Sequence, residues 1–318
     1  MLLSRVADAL YWIGRYLERA EHATRVIDVR LDLGLDRRAE GTGWDFGRLY
    51  ESLQYDPPDD MPFSPAALID TTIFDPANRQ SILAWVTVAR ENARQVREEI
   101  SSEMWEQING LYLRLKDVRI EGTWPSRPHY LARFIIEGIH LFQGITDATM
   151  GHGEGWQYLR VGRFLERADA TAALLDLYYR NPEHTNAAVI NHGEWAGLLR
   201  SCASLEAYCR VYTAELRPDR IAEFLLLNPV GPRSIRFAAA EVESSLQTIG
   251  EHVSRRSAER AERLAGRLHA SLDYGQVDEI LADNPHVYLE GISRQCAQIH
   301  AAFHQSYIAY AIESAIPA

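Results

Sequence analysis

The stretch GRYLERAE at residues 14–21 returns as GRFLERAD at residues 162–169. Each copy contains an Arg-x-x-Glu-Arg cluster. Each copy also lies in a run whose apolar residues recur every three to four positions, which is the period of an α-helix. The same charged cluster is therefore predicted on two helices, one in each half of the chain. It is either scaffolding or one site that is built twice.

Helical periodicity covers most of the remaining sequence, and no segment shows convincing strand alternation. Clusters of proline and aspartate separate the periodic runs and mark the ends of helices. The least regular region, 34–78, is predicted to hold a short helix near Phe46–Leu53 and a long loop. The sequence therefore predicts an all-α helical bundle.

The repeat extends beyond the opening motif. Residues 78–97 resemble residues 231–250, and this alignment places Ser81 opposite Ser234. Weaker matches follow in the same order along both halves.

We therefore expect two tandem, sequence-related helical repeats, 1–150 and 151–318, each a bundle of about five helices. The pattern leaves open whether they form one merged domain or two lobes.

A helical wheel places the first cluster opposite the apolar face of its helix. Tyr11 and Val26 flank the charges on the same side, so the helix is apolar nearly all round and we expect the cluster to be partly buried. Buried charges need partners, and each motif supplies a pair of its own. The expected pairs are Arg15 or Arg19 with Glu18, and Arg163 or Arg167 with Glu166.

One arginine in each copy is then in surplus and needs another carboxylate, from the protein or from a ligand. Three interpretations remain: a structural ion-pair network, a site for an anionic ligand, or a solvated face.

Other candidates lie outside the repeated motif. Arg90, Glu91 and Arg94 are at helical spacing, and they form either a solvated stripe or a second wall of the same polar cavity. His152 and Glu154 lie in a glycine-flanked loop. They are too few for a closed metal site, so no metal is expected, and Glu154 is well placed to satisfy free N–H groups at a helix start.

Arg233 lies at a predicted helix start, where free N–H groups could hold an anion; a plain helix start is the alternative. Phosphate-loop, dinucleotide-binding and nucleophile-elbow motifs are absent from the sequence, and we expect no cofactor.

The net charge of −11 and the pI near 5.5 argue against nucleic acid as the main partner. No apolar run approaches the ~18–20 residues of a membrane span. The charged residues Arg5 and Asp8 are unlike a signal peptide, and the three cysteines form no CxxC pair. A cytoplasmic protein is therefore expected.

Three blocks together resemble the bacterial alpha-E family of all-helical proteins with a Glu-Arg motif. They are SRVADALYWIGRYLERAE, ARENARQVREEISSEMWEQIN and HGEGWQYLRVGRFLERAD. Members of that family are typically encoded beside, or fused to, a circularly permuted ATP-grasp ligase. The resemblance implies a role in a pathway that makes and trims amide or peptide linkages. It draws attention to the Arg and Glu positions of both motifs, and to Arg90, Glu91 and Arg94.

Three hypotheses follow. In the first, the protein is an accessory or binding component of an ATP-grasp amide or peptide ligase pathway, and it holds a carboxylate, phosphate or peptide in an Arg/Glu-lined cavity between the repeats. In the second, it is an enzyme that forms or cleaves amides, with Glu18 or Glu166 as general base. In the third, it is a structural scaffold.

Overall fold

The computed structural model describes residues 2–39, 46–55, 64–121, 128–180, 191–251 and 255–308. Within these ranges the chain is helical and contains no strand, which confirms the predicted all-α class there. Two π-helical turns, Asp70–Phe74 and His304–Ile308, continue α3 and α14. The α-helices are α1 (Ser4–Ala39), α2 (Phe46–Leu53), α3 (Pro65–Ile69), α4 (Ile82–Gln95), α5 (Ser102–Glu121), α6 (Pro128–Thr149), α7 (Glu154–Arg180), α8 (His192–Ser201), α9 (Leu205–Tyr212), α10 (Pro218–Leu227), α11 (Ile235–Gly250), α12 (Arg255–Asp273), α13 (Val277–Ala282) and α14 (Pro285–Phe303).

Two serines that the sequence aligns begin α4 and α11 in the same way. The Ser81 hydroxyl accepts a hydrogen bond from the N–H of Ala84 at 3.2 Å, and the Ser234 hydroxyl accepts one from Phe237 at 3.1 Å. Both serines have extended backbone angles, −72°/150° and −73°/149°. Each hydroxyl satisfies one of the N–H groups that the first helical turn leaves without a partner.

The helices pack as two four-helix groups, and the main contact between the groups is that of α1 with α7. In the first group α1, α4, α5 and α6 lie side by side, and α6 returns to α1. In the second group α7, α11, α12 and α14 do the same. α1 and α7 pack against each other and join the groups. Their buried apolar residues form one continuous core, with α1 and α7 at its centre.

The structure confirms the predicted short helix Phe46–Leu53. It also shows that α1 continues to Ala39, so helical structure extends past residue 34 into the region that the sequence leaves irregular. The rest of the predicted long loop falls partly on 40–45 and 56–63, which lie outside the described residues. The boundary between repeats at 150 and 151 falls in the connection between α6 and α7 and stays a prediction.

None of the helices in the described ranges is both long and apolar enough to span a membrane.

Candidate functional site

Two glycines, one from each copy of the repeated motif, allow α1 and α7 to touch. A Cβ atom added to Gly14 would lie 2.2 Å from the carbonyl oxygen of Leu159, and one added to Gly162 would lie 2.1 Å from that of Tyr11. Both contacts are with backbone atoms, which cannot move aside as a side chain can. The crossing therefore requires glycine at both positions.

Because α1 and α7 cross closely, Glu166 binds the arginines of the other motif. Glu166 of α7 accepts hydrogen bonds from the Nε atoms of Arg15 and Arg19 of α1, each at 2.5 Å, and from Arg19 Nη2 at 3.0 Å. Arg15 also donates to the hydroxyl of Tyr11 at 2.9 Å. All these partners lie on the helix that faces Glu166.

Glu18 of α1 is held in the reciprocal way. It accepts two hydrogen bonds of 2.7 Å from Nε and Nη2 of Arg167 of α7, and Arg163 Nε lies 3.6 Å away. The pairs expected within each motif are therefore wrong, because the ion pairs run between the helices. Each glutamate lies four residues beyond its glycine, where the close crossing brings it nearer to the facing helix than to arginines on its own. The expected burial of the cluster is confirmed, since Glu18 is fully buried.

A third arginine completes the cluster around Glu18. Arg233, which precedes α11, donates to Glu18 at 2.7 Å and also binds Glu21. Glu21 accepts further hydrogen bonds from Arg25 at 3.1 Å and His140 at 2.9 Å. We call this group the closed site, consisting of Glu18, Glu21, Arg163, Arg167 and Arg233.

The ion pairs set the acidity of the two glutamates. Burial alone would raise the pKa of Glu18, but the guanidinium groups of Arg167 and Arg233 lower that pKa below its usual range. Burial would likewise raise the pKa of Glu166, and Arg15 and Arg19 lower it. Both carboxylates are ionised and engaged, so each is a weak base.

The corresponding group around Glu166 borders a cavity of about 270 Å³. We call this group the open site, consisting of Glu166, Asp169, Arg15, Arg19 and Gln80. The cavity lies between α1 and α7 and is bounded by α2 and by the start of α4. Its lining includes the polar residues Arg19, His22, Gln80, Glu166 and Asp169 and the ring of Trp85.

Arg19 presents a guanidinium group to this cavity. Its side chain is 33% exposed, whereas the side chain of its counterpart Arg167 is 4% exposed. The guanidinium carbon lies 5.7 Å from the centre of the Trp85 ring and 5.8 Å from that of Tyr16, within the range of a cation–π contact. Aromatic contacts and the bonds to Glu166 therefore fix Arg19 at the cavity wall.

Asp169 is a further carboxyl group that lines the same cavity. Among the described residues no arginine, lysine or histidine forms an ion pair with Asp169, which has a hydrogen bond with Ser293. Burial raises the pKa of this carboxyl group above its usual value. Burial and the nearby Arg233 lower the pKa of His22 to about 4, so the imidazole at the cavity is neutral at pH 7.

The three residues predicted as a second wall of the polar cavity, Arg90, Glu91 and Arg94, do not line it. Arg90 donates to Asn109 Oδ1 at 2.7 Å and to Glu91 at 2.5 Å, and its guanidinium carbon lies 4.8 Å from the centre of the Tyr112 ring of α5. Arg94 also binds Glu91, at 2.7 Å, and both side chains are exposed. The described lining of the cavity includes none of the three predicted residues Arg90, Glu91 and Arg94.

His152 and Glu154 lie at the start of α7. The His152 ring is exposed and stacks on Trp156 with 4.1 Å between ring centres. Glu154 accepts a hydrogen bond from the N–H of Leu2 and one from the hydroxyl of Tyr158, each at 3.0 Å. The described ranges contain no group of three or more potential metal ligands.

The sequence does not predict Glu21, Asp169, His22 or Gln80 as site residues, and it indicates Arg233 only at a helix start, with or without an anion. One signal was available for the two carboxylates: the repeated stretches GRYLERAE and GRFLERAD both end in an acidic residue. Arg233 and Gln80 come from chain segments far from the motifs, so spacing alone does not connect them to the crossing.

This structure defines an all-helical protein in which two Glu-Arg motifs cross and exchange their ion pairs. The chain belongs to the Alpha-E family, described as a predicted alpha-helical domain with a conserved ER motif, and the family model matches residues 2–308.

The chain is similar to uncharacterised proteins of Mycobacterium bovis and of two strains of Mycobacterium tuberculosis. Each is 23% identical over 332 aligned positions, which cover 95% of this chain and 35% of the relative. The chain thus spans about a third of the length of these curated relatives. No solved structure shows a significant match.

Proposed function

We propose that this chain is the ligand-binding component of an ATP-grasp amide or peptide ligase pathway, and that it holds an ionised small molecule or peptide in the open site. One observation carries the proposal: of two Arg–Glu clusters with reciprocal ion pairs, the one around Glu166 borders a cavity. A purely structural role would require only packed ion-pair clusters such as the closed site, and it would not require a cavity.

Arg19 is the residue proposed to grip an anionic group of the ligand. It is the more exposed of the two arginines that bind Glu166, and the cavity borders it directly. Two of its nitrogens hold Glu166, while the planar guanidinium group has five N–H donors in all. The remaining donors suit a carboxylate, a phosphate or the C-terminus of a peptide.

The tandem repeat is part of the proposal. The matched N-terminal caps of α4 and α11 support it. So do two hydrogen bonds in corresponding places: His129 of α6 lies 2.7 Å from Asp28 of α1, and His286 of α14 lies 2.7 Å from Asp176 of α7. On this view the closed and open sites descend from one ancestral site.

Binding receives more support than catalysis. The enzyme hypothesis requires Glu18 or Glu166 as general base, and at least two arginines engage each of them and lower its pKa. A general base is most effective when its pKa lies near the working pH. The scaffold hypothesis accounts for the closed site but not for the cavity beside Asp169.

The connection to an ATP-grasp ligase rests on the family resemblance. The length of the mycobacterial relatives supports it, because the matched region is about a third of each relative. A domain that occurs within longer chains is suited to act beside other domains.

The test is a thermal-shift titration with glutamate, phosphate, ATP and a glutamyl dipeptide, on wild type and on Arg19→Gln. A ligand at a hundred times its dissociation constant stabilises the native state by about 2.7 kcal/mol. We expect at least one anion to raise the Tm of wild type but not of Arg19→Gln. Arg133→Gln, at an exposed pair with Glu137, is the matched control. An anion-induced shift that persists in Arg19→Gln, or no shift with any anion, would contradict the proposal.

A further inference from the structure

The residue before each aligned serine differs between the two sites. Arg233 precedes Ser234, and Gln80 precedes Ser81. Because the two serines have nearly identical backbone angles and begin helices in the same way, Arg233 and Gln80 leave the backbone at equivalent places. One position carries a cation, and the other carries a neutral amide.

The carboxylates that face these positions also correspond. Glu18 and Glu21 are three residues apart on α1, and Glu166 and Asp169 are three residues apart on α7. Arg233 bridges the first pair, with one terminal nitrogen on each carboxylate. Gln80, Glu166 and Asp169 instead line the cavity together. The cavity therefore lies where the counterpart of the Arg233 guanidinium would be.

The closed site has more arginines around its carboxylates than the open site. Glu18 and Glu21 are paired with four arginines, Arg25, Arg163, Arg167 and Arg233. Among the described residues of the open site, Arg15 and Arg19 form ion pairs with Glu166, and no ion pair reaches Asp169. With one added cation the open site would still have fewer cations than the protein tolerates in the closed site.

We propose that the open site binds a guanidinium or ammonium group, from a small molecule or a peptide side chain, between Glu166 and Asp169 in the place that Arg233 takes in the closed site. The inference deepens the proposed function and rests on it, since it names the cationic part of a ligand whose anionic part Arg19 would hold. Together they describe an amino acid or a peptide residue with a basic side chain.

The surroundings of the cavity suit such a group. Asp169 is a partly buried carboxyl group that forms no ion pair among the described residues, and a partly buried carboxylate gains more from a cationic partner than a fully exposed one does. His22 is neutral at pH 7 and does not repel a cation. Leu53 and Trp85 add apolar surface for a methylene chain. The cavity volume of about 270 Å³ is just below the roughly 300 Å³ at which drug-sized ligand sites begin, so it suits a small ligand.

Calorimetric titration with four probes separates the two parts of the ligand. L-Arginine has both the cationic side chain and the carboxylate. Agmatine keeps the guanidinium group and lacks the carboxylate, while citrulline keeps the carboxylate and replaces the guanidinium group by a neutral urea. The tripeptide Gly-Arg-Gly tests whether the guanidinium group is accepted from a peptide. We expect arginine to bind, agmatine to bind, and citrulline to bind at least tenfold more weakly than arginine.

Asp169→Asn is the decisive variant, because it removes the charge with little change in shape. We expect its affinity for agmatine to fall roughly tenfold to a hundredfold, which is the usual effect of losing a hydrogen bond to a charged group. Asp147→Asn, at an exposed position on α6, is the control and should bind agmatine as wild type does.

Two outcomes would overturn the inference. In the first, neither agmatine nor arginine binds. In the second, arginine and citrulline bind with equal affinity, and Asp169→Asn binds each of them as wild type does. If glutamate or phosphate still bound through Arg19, the proposed function would stand without this inference. If agmatine bound and no anion did, the cationic site would stand and the anionic contact would fail.

Discussion

Gly14 and Gly162 each lie against the backbone of the other's helix, and this reciprocal contact positions both Arg–Glu clusters. Tyr11 and Leu159 supply the carbonyl oxygens that the two glycines approach. Because the helices touch at these points, the arginines of one helix reach the glutamate of the other. The crossing is therefore the structural origin of both the closed site and the open site.

A methyl group at the crossing should destabilise the protein. We expect Gly14→Ala to lower the free energy of unfolding by about 1–3 kcal/mol or more, because the new Cβ would overlap backbone atoms that cannot move aside. Gly144→Ala in α6 is the matched control. Its Cβ meets nothing within 4 Å, so alanine should be neutral or stabilising by up to about 1 kcal/mol. Urea unfolding of the three proteins gives the comparison, and equal effects would contradict the account.

Removing the third arginine of the closed site should be costly. Arg233→Gln would leave Glu18 and Glu21 buried with one cation fewer, and breaking a buried ion pair typically costs about 3–5 kcal/mol. The same change at the exposed pair of Arg133 and Glu137 should cost less than about 1 kcal/mol. Both losses are measured by urea unfolding at pH 7. A loss at Arg233 no larger than that at Arg133 would show that the closed site is not a stabilising network.

Removing the charge of Asp169 should stabilise the protein, whereas removing the charge of Arg233 should destabilise it. Its pKa in the folded protein is raised by burial above the ordinary value of 3.8, so ionisation of this group destabilises the fold above the folded pKa. The cost disappears as the pH falls through the folded pKa towards 3.8. We expect Asp169→Asn to be more stable than wild type at pH 7, with an advantage that shrinks as the pH approaches 4.

Urea unfolding of wild type and Asp169→Asn between pH 8 and pH 4 tests this dependence. A variant that is less stable than wild type at pH 7 would mean that Asp169 is ion-paired in the folded protein without a ligand. Greater stability combined with weaker agmatine binding would mark Asp169 as a residue kept for binding rather than for folding.

Much of this fold follows from local sequence signals. The apolar period predicts the helices, and the alignment of Ser81 with Ser234 anticipates two helix starts of equal geometry. The sequence does not predict where α1 ends, because the composition after residue 34 is irregular and helix boundaries are less sharply encoded than helix interiors. The burial of the charged motif is also readable, since Tyr11 and Val26 flank it on the same face.

The sequence does not predict which charged residues pair with each other in the same way. Within one helix the sequence offers partners three or four residues away, and the fold uses partners on the other helix instead. Which carboxylate each arginine reaches depends on how closely the two backbones approach, and the glycines set this distance. The contact of Arg233 with Glu18 joins residues 215 positions apart, and no local pattern indicates it.

The most direct test of the account is the stability of Gln80→Arg compared with wild type and with Gln80→Met, measured by urea unfolding at pH 7. The new arginine supplies a further cation to the open site from within the chain, and methionine controls for side-chain size without charge. We predict that Gln80→Arg is more stable than both other proteins and no longer binds agmatine. A Gln80→Arg protein that is no more stable than Gln80→Met, or that still binds agmatine as wild type does, would contradict the claim that the cavity is a cation-binding site.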